Sequence, residues 1–414
     1  MSVDVAGFTP STRGPLFGNG PWPPGTALQL SIPGLPAVPI DATQMGLCGG
    51  MSFLTRDIFE SGTPQLRGPI AADIPAPLAQ LVLRRLIDSF GGAGTVLKWL
   101  QFTRTPDHDT VLGGTGVFGL TVQECQAIMA DVDAGQLSPI GVVLTESLLP
   151  WAVFDNHVDL VWGYDLAGSQ LTLHTYDCNF PGDDTITISL DISAPAPAKV
   201  IDTNGTHGPN PGQVRGFFRL PYMHADPSAA YIDDAVVAIS IPPPAQLAPG
   251  ATAEVDVTAT NTGSTSWFPH LGYRLGSQAP QDNLTWGLGR VEMPGPQTDP
   301  QDTASFRFKI TAPQAAGEFD FRWQMLQENV HWFGTPSADL PVPVGADTPL
   351  CDQLHARYVA LRDQYQDLEN QIAALGREAP DKADVAALAR QAHVLQQQMT
   401  DLENQQTESG CAPG

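Results

Sequence analysis

A cysteine between glycines opens a helical pattern early in the chain. The segment Gly46-Leu47-Cys48-Gly49-Gly50-Met51 precedes apolar residues at helical spacing, and Gly62-Thr63-Pro64 ends that pattern. We therefore expect Cys48 at or just before the first helical turn, where unpaired backbone N–H groups and the helix dipole favour a thiolate. The flanking glycines are expected to leave the sulfur open to an incoming carbonyl. These features predict a nucleophile, although a buried cysteine in a glycine-rich turn explains the same residues.

A thiolate nucleophile needs a general base, and the base needs a group that orients it. His157 begins an apolar strand pattern that runs to Tyr164, and Asp177 follows the next strand pattern, Leu171 to Tyr176. A hairpin turn between these strands would place His157 and Asp177 at the same edge of a sheet. The sequence thus predicts a triad of Cys48, His157 and Asp177. Histidines at strand edges and aspartates in turns are also common without a catalytic role.

The elements that must position this triad are helices followed by strands. Beyond the Cys48 helix, the predicted helices are Ala76 to Phe90, Thr95 to Phe102 and Val122 to Ala134, the last with Thr121 as its N-cap. The predicted strands are Pro139 to Leu144, His157 to Tyr164, Leu171 to Tyr176, Thr185 to Leu190 and Val214 to Leu220. This order predicts an α+β fold in which a helical subdomain packs against a mostly antiparallel sheet. The Gly- and Pro-rich residues 1–40 are expected to drape over the core through Phe8, Phe17, Trp22 and Leu30.

Several motifs of this region have a family resemblance. Gly46-Leu47-Cys48-Gly49-Gly50-Met51, Asn156-His157, Gly163-Tyr164-Asp165 and Tyr176-Asp177-Cys178-Asn179-Phe180-Pro181 resemble bacterial papain-like cysteine peptidases, which are distantly similar to bacteriocin-processing peptidases. With Gly216-Phe217-Phe218 and Tyr222, the match covers roughly residues 15 to 225. The resemblance implies that Cys48 is the nucleophile, His157 the general base and Asp177 the group that orients the base.

The chain departs from that family at two places. In the family the catalytic histidine is followed by glutamine, whereas this chain has Val158 after His157. The family also has the motif Asp-Pro-Asn where this chain has Asp177-Cys178-Asn179. Papain-like enzymes also use an upstream glutamine as an oxyanion donor. Gln44 is the nearby candidate, but it lies four residues before Cys48, closer than usual, and an exposed loop glutamine explains it equally well. The Cys48 backbone N–H is expected to supply the other donor.

The middle of the chain has the pattern of an all-β sandwich. Its strand patterns, separated by turns, are Ala235 to Ile241, Ala253 to Ala259, Ala304 to Ile310 and Glu318 to Met325. Asn261-Thr262-Gly263 with Trp267, then Trp286-Gly287-Leu288, Trp323-Gln324-Met325 and Trp332-Phe333-Gly334, resemble the four-tryptophan immunoglobulin-like domain of bacterial hydrolases and eukaryotic autophagy receptors. The resemblance implies a binding or spacer module. We expect the tryptophans to serve packing, with a carbohydrate platform as the alternative.

The last part of the chain has the pattern of two helices that pair. Apolar residues recur at steps of four and three on either side of a break at Gly376 and Pro380. The two seams are Leu354, Tyr358, Leu361, Tyr365, Leu368, Ile372 and Leu375, then Val385, Leu388, Ala392, Leu395, Met399 and Leu402. They predict an antiparallel α-helical coiled-coil hairpin, with Thr348 as N-cap and Pro349 as the first helical residue. Folding at the break brings Cys351 near Cys411, where a disulfide could form.

These patterns divide the 414 residues into three domains: 1–228, papain-like; 229–346, the immunoglobulin-like sandwich; and 347–414, the helical hairpin. The net charge of −24 argues against a general nucleic-acid binder. We also expect no membrane span, because no apolar run is long enough. The five cysteines have no zinc spacing, so neither a metal nor another cofactor is expected. Residues 1–20 lack an ordinary signal peptide, which leaves the location open between the cytoplasm and export by another route.

The sequence therefore supports two classes of function. The first is a thiol hydrolase that cleaves peptide or related amide bonds in a peptide or protein substrate through an acyl-enzyme. The alternative is a catalytically inactive papain-like scaffold, motivated by Val158 and Cys178, that binds a protein partner through its sandwich or coiled coil. Acyl transfer to an amine in place of water would use the same residues as hydrolysis.

Overall fold

The computed structural model describes residues 1–30, 38–42, 46–68, 70–109, 114–193, 200–345, 350–375 and 382–408. The chain divides into two compact units, Met1–Ile232 and Asp233–Gly414. Both units contain helices and antiparallel sheets. This confirms the expectation that the chain has more than one domain and is built from helices and antiparallel strands.

The first unit is built around a curved antiparallel sheet. Its strands are β1 (Ser2–Asp4), β2 (Ala27–Leu30), β3 (Val38–Asp41), β4 (Ser138–Val143), β5 (His157–Ala167), β6 (Gln170–Tyr176), β7 (Thr187–Asp191), β8 (Ile201–Thr203), β9 (Gln213–Val214) and β10 (Gly216–Arg219). The order in the main sheet is β10-β4-β5-β6-β7-β8-β9, with β1 added beside β5, and β2 and β3 pair separately. Only Arg215 separates the two edge strands β9 and β10, so the sheet must curve to bring its edges near one another.

The predicted strand from Val214 to Leu220 is therefore wrong as a single element. Val214 pairs with Ile201 on β8, whereas Gly216 pairs with Val143 on β4. The chain crosses from one edge of the sheet to the other at Arg215. Its guanidinium donates to the Thr145 carbonyl at 2.6 Å, which anchors the crossing.

Helices α1 to α5 complete the first unit: α1 (Pro10–Arg13), α2 (Cys48–Ser61), α3 (Ala76–Ser89), α4 (Ala93–Arg104) and α5 (Val117–Asp133). The prediction that Thr121 caps α5 is wrong, because the helix begins at Val117 after Gly116. Val117 is fully buried and extends the apolar face by a turn. Thr121 lies inside the helix, where its hydroxyl accepts the Phe217 N–H at 3.1 Å and joins α5 to β10.

The N-terminal residues contribute to the core as well as covering it. The predicted anchors Phe8, Phe17 and Trp22 are all buried in the first unit. The side chain of Leu30 lies outside the described part. Strand β1, which the sequence analysis did not predict, pairs Val3 with Tyr164 on β5.

The second unit contains two antiparallel sheets and two helices. Its elements are β11 (Ala235–Ile241), β12 (Thr252–Asn261), β13 (Tyr273–Gln278), β14 (Arg290–Glu292), β15 (Thr303–Thr311), β16 (Gly317–Gln327), β17 (His331–Phe333), β18 (Leu340–Val344), α6 (Leu350–Leu375) and α7 (Lys382–Glu408). One sheet has the order β11-β12-β15, and the other has β14-β13-β16-β17 with β18 also paired to β16. Trp267, Trp286 and Trp323 are buried in the core that the sheets share. Trp332 is partly exposed, and the Arg290 guanidinium stacks 4.9 Å from its ring centre.

Helices α6 and α7 pack on each other and on strands of the same unit. Leu354, Leu361, Leu395 and Leu402 form one buried cluster with Ala245. The Gln398 side chain on α7 donates to the Ile239 carbonyl of β11 at 2.6 Å. The predicted cap and break residues, Thr348, Pro349, Gly376 and Pro380, lie outside the described residues, as do the Cys351 side chain and Cys411. The disulfide between these cysteines stays a prediction.

Within the described ranges, no helix is both long and apolar enough to cross a membrane.

Candidate functional site

Cys48 is the first residue of α2, as the sequence predicts. The backbone N–H of Leu47, just before the helix, donates to the Asn19 side-chain oxygen at 2.6 Å. Because Cys48 lies in the first turn, no carbonyl within the helix accepts its own N–H. The residue is 9% exposed, so its sulfur lies at a mostly buried helix start near the positive end of the dipole.

The two glycines after Cys48 allow α2 to lie close to α3. A Cβ atom on Gly50 would overlap the Val82 carbonyl, and one on Gly49 would overlap the Ser89 hydroxyl. The structure therefore gives these glycines a packing role, where the sequence analysis expected them to keep the sulfur accessible. Because both residues lack a side chain, the start of α2 can pack directly against α3.

His157 begins β5 and Asp177 directly follows β6, as the sequence analysis expected. The register of the hairpin pairs Leu160 with Tyr176, which places the start of β5 beside the end of β6. His157 Nε2 lies 2.8 Å from Asp177 Oδ1, in hydrogen-bond geometry. Both side chains are buried, so water does not compete for this bond.

Asp177 is held as a carboxylate by several donors. Its Oδ1 accepts the Asn179 N–H at 2.9 Å, and its Oδ2 accepts the Thr206 N–H at 2.8 Å. Burial opposes ionisation, but the His157 charge and these hydrogen bonds prevail and lower the pKa of Asp177 to about 2. Asp177 is therefore ionised at neutral pH and fixes the orientation of the His157 ring.

The charge on His157 depends on the groups around its ring. Burial disfavours the imidazolium, but the charges of Cys48 and Asp177 raise the pKa of His157 well above its usual value. Because Nε2 is engaged by Asp177, Nδ1 is the ring nitrogen that is left for another partner. These neighbours favour the charged form of the His157 ring.

A cavity of about 320 Å³ lies beside Cys48 and His157, and both residues line it. Much of its remaining wall is apolar: Leu86, Phe90, Trp99, Leu144, Val153 and Phe154. Asp177 is not among the described lining residues, and it contacts the cavity-lining residues His157 and Thr206 through hydrogen bonds. The volume suffices for a small part of a substrate next to the sulfur.

Neither of the unusual residues beside the site displaces its members. The Val158 carbonyl accepts the Ser52 hydroxyl at 3.1 Å, which ties α2 to β5. Cys178 is fully buried, and burial raises the pKa of its thiol well above the usual value. Cys178 therefore stays a neutral thiol and is a poor nucleophile.

Donor atoms of His157, Asp177 and Cys178 lie within 4.8 Å of one another, a grouping that can suit a metal ion. Two ligands around tetrahedral zinc are about 3.3 Å apart, because each bond is about 2.0 Å long. The 2.8 Å between His157 Nε2 and Asp177 Oδ1 is shorter and matches a direct hydrogen bond. The arrangement fits a hydrogen-bonded acid–base pair better than a metal centre.

Asn19 is a residue of this site that the sequence analysis missed. It lines the cavity with Cys48, and a Cβ atom on Gly46 would overlap its side-chain nitrogen. Since Asn19 Oδ1 accepts the Leu47 N–H, the amide group is held in a fixed orientation at the start of α2. Gln44, the expected oxyanion donor, lies outside the described residues. The only sequence signal for Asn19 is an asparagine between two glycines, which also suits a turn.

Comparisons with known proteins add little to this geometry. No protein-family model matches the chain, and no curated protein matches it. Among solved structures, the CARDB domain of PF1109 from Pyrococcus furiosus has 14% identity and a TM-score of 0.21, with 28% of this chain and 98% of that chain covered. A structure described as "AvmM Catalyzes Macrocyclization in Alchivemycin A Biosynthesis" has 14% identity and a TM-score of 0.18, with 29% of this chain and 94% of that chain covered. These likenesses are too weak to support an argument about fold or function.

Proposed function

We propose that this protein is a papain-like thiol hydrolase that cleaves peptide or related amide bonds through an acyl-enzyme. One joint observation carries the proposal: Cys48 and His157 line the same cavity, and His157 Nε2 is hydrogen-bonded to the ionised Asp177. A nucleophile, a base and a group that orients the base are the parts that such chemistry needs.

The proposed reaction has two steps. The Cys48 thiolate attacks the substrate carbonyl carbon, and the C–N bond breaks as His157 gives its proton to the leaving amine. His157 then takes a proton from water, which attacks the thioester, releases the acid and restores the Cys48 thiolate. Asp177 holds the ring in one tautomer throughout. An amine in place of water would give acyl transfer by the same steps.

The proposed oxyanion donors are the Cys48 backbone N–H and the Asn19 side-chain N–H. The first has no intrahelical acceptor, and the second belongs to an amide whose oxygen is already held by Leu47. Both groups border the cavity in which the carbonyl oxygen would lie. Preorganised donors of this kind stabilise the charge that develops on that oxygen.

For the rest of the chain we retain the proposed division into 1–228, papain-like; 229–346, an immunoglobulin-like binding or spacer module; and 347–414, a coiled-coil hairpin. The scaffold alternative requires surfaces for a partner. Leu354, Leu361, Leu395 and Leu402 of the hairpin seams are buried within their own unit, so these positions do not offer an open seam. Val158 and Cys178 also leave the His157–Asp177 bond in place.

The test compares wild-type protein with Cys48→Ala on a library of fluorogenic peptide amides, and with Cys125→Ala as the control. Cys125 is a buried thiol whose pKa burial raises to about 12, so its removal should not affect turnover. We expect wild type and Cys125→Ala to cleave amides, and Cys48→Ala to lose this activity. Amide cleavage by Cys48→Ala at the wild-type rate, or a wild-type Cys48 that iodoacetamide does not alkylate, would contradict the proposal.

A further inference from the structure

A second carboxylate lies beside the His157 ring. His157 and Asp159 are two residues apart on β5, so their side chains point to the same face of the sheet. Asp159 Oδ1 lies 3.2 Å from His157 Nε2, which is the same nitrogen that donates to Asp177 at 2.8 Å. The imidazole N–H therefore has two carboxylates within reach.

The two carboxylates have different surroundings. Asp177 accepts hydrogen bonds from His157, Asn179 and Thr206. Asp159 is only 4% exposed, and its Oδ1 has no hydrogen-bond partner among the described residues, because the Nε2–H points toward Asp177. A buried carboxyl oxygen without a donor is costly, so a position of this kind calls for an explanation.

The ionisable groups around Asp159 influence whether its carboxyl group is charged. His157 lies on its own strand, and Asp177 and Cys178 lie at the end of β6. On the other side, the paired positions 138–142 of β4 carry no ionisable side chain. Burial and the nearby Asp177 raise the pKa of Asp159 to about 6, against the opposing effect of His157. Asp159 is thus a carboxylate at neutral pH and adds a second negative charge next to the imidazolium.

We propose that Asp159 is a positioning residue: a second carboxylate that holds the His157 imidazolium together with Asp177 and accepts its N–H when Asp177 is absent. As a carboxylate 3.2 Å from His157 Nε2, Asp159 attracts the proton on the ring. It therefore favours the charged form of the ring. The effect of Asp159 on turnover rests on the proposed function, whereas its effect on the His157 ring does not.

A first test follows the ring itself and does not need a substrate. The His157 imidazole is titrated by NMR in wild type, Asp159→Asn and Asp165→Asn, and its signal is assigned by its loss in His157→Gln. Asp165 is a matched control because it is a half-exposed carboxylate on the same strand that pairs with His174 at 3.0 Å. We expect the pKa of His157 to fall by about 1 or more in Asp159→Asn and to stay unchanged in Asp165→Asn. An unchanged His157 pKa in folded Asp159→Asn would overturn the proposal.

A second test uses turnover of a peptide amide by Asp159→Asn, Asp177→Ala and the double variant. Because each carboxylate can accept the Nε2–H in place of the other, each single variant should lose about 10- to 100-fold in kcat. The double variant should lose more than the product of the two single losses, which lies between about 10²- and 10⁴-fold. A double variant that loses only that product would contradict a shared role. If wild type cleaves no amide, the proposed hydrolase fails, and the NMR titration alone decides the role of Asp159.

Discussion

Helix α2 carries a buried group of ionisable residues near each end, and the two groups differ in how completely they are paired. Near its C-terminal end, Asp57 accepts two hydrogen bonds from the Arg85 guanidinium, at 2.7 and 2.9 Å. It also accepts the Tyr222 hydroxyl at 2.6 Å and the Ala225 N–H at 3.0 Å. At the N-terminal end, the group of Cys48, His157, Asp177 and Asp159 leaves one carboxyl oxygen without a donor and borders a cavity.

This difference separates a structural role from a chemical one. A buried charge whose hydrogen bonds are all filled stabilises one packing and offers nothing to a ligand. A buried group with a free ring nitrogen, a thiol and an adjoining cavity is poised to exchange protons with a bound molecule. Variants at the two ends of α2 should therefore separate stability from activity.

The largest effect is expected from His157→Gln. Without the imidazole, Cys48 has no base and the leaving amine has no acid, so kcat on a peptide amide should fall on the order of 10⁴-fold. Because the buried carboxylates of Asp177 and Asp159 also lose their charged partner, the variant should be less stable, and its turnover is expressed per folded molecule. Steady-state kinetics with a fluorogenic amide, together with calorimetry, measures both. Wild-type turnover in His157→Gln would show that His157 is not the base.

At the other end of the helix, a loss of stability without a loss of turnover is expected. In Asp57→Asn the buried Arg85 charge loses its ionised partner, so the unfolding free energy should fall by about 3 kcal/mol. Turnover per folded molecule should stay within about two-fold of wild type, because Asp57 is remote from the cavity lining. Urea unfolding followed by circular dichroism tests this. Arg307→Ala serves as the control: its pair with Glu254 is exposed, and its loss should cost less than about 1 kcal/mol.

The role of Asn19 is tested by a nearly isosteric change. Asn19→Asp keeps an oxygen for the Leu47 N–H but loses the side-chain N–H donor, so kcat should fall about 10²- to 10³-fold with little change in KM. Alkylation of Cys48 by iodoacetamide forms no oxyanion, so its rate in Asn19→Ala should stay close to that of wild type. Equal losses of alkylation and amide turnover in Asn19→Ala would instead indicate a displaced α2.

The smallest predicted effect is a change in the pH dependence of stability. Asp159 has a pKa of about 6, raised by burial, so the native state binds more protons than the unfolded state between about pH 4 and 6. Stability from this residue is therefore lost as pH rises through that window, by about 2–3 kcal/mol. Asp159→Asn should remove that slope and raise stability at pH 8. The contribution of Asp177 to stability has the opposite pH dependence. It is present above about pH 4 and is lost as pH falls toward 2.

The sequence predicts the local parts of this arrangement well. Alternating apolar residues on either side of a polar turn predict the β5–β6 hairpin, and the hairpin alone brings His157 to Asp177. The start of α2 near Cys48 follows from the helical spacing of the apolar residues after it. Both predictions depend on residues that are close together along the chain.

The parts that the sequence does not predict depend on distant contacts. Asn19 reaches the Cys48 helix only because the N-terminal segment folds back over the core. The crossing at Arg215 depends on carbonyls from other segments, and its local pattern is that of one continuous strand. Asp159 had a usable signal, since residues two apart on a strand share a face, but a strand pattern alone does not reveal that this face is buried beside Asp177.

The most direct test of the account is the pH profile of Cys48 alkylation in wild type and His157→Gln, read by peptide mass spectrometry after brief exposure to iodoacetamide. Cys125 and Cys178 are internal references, because both are buried thiols. We predict that wild-type Cys48 reacts rapidly at pH 6, where ordinary thiols are slow. In His157→Gln, Cys48 should react slowly at pH 6 but still react at pH 9. Identical profiles for the two proteins would contradict the Cys48–His157 pair on which the proposed chemistry depends.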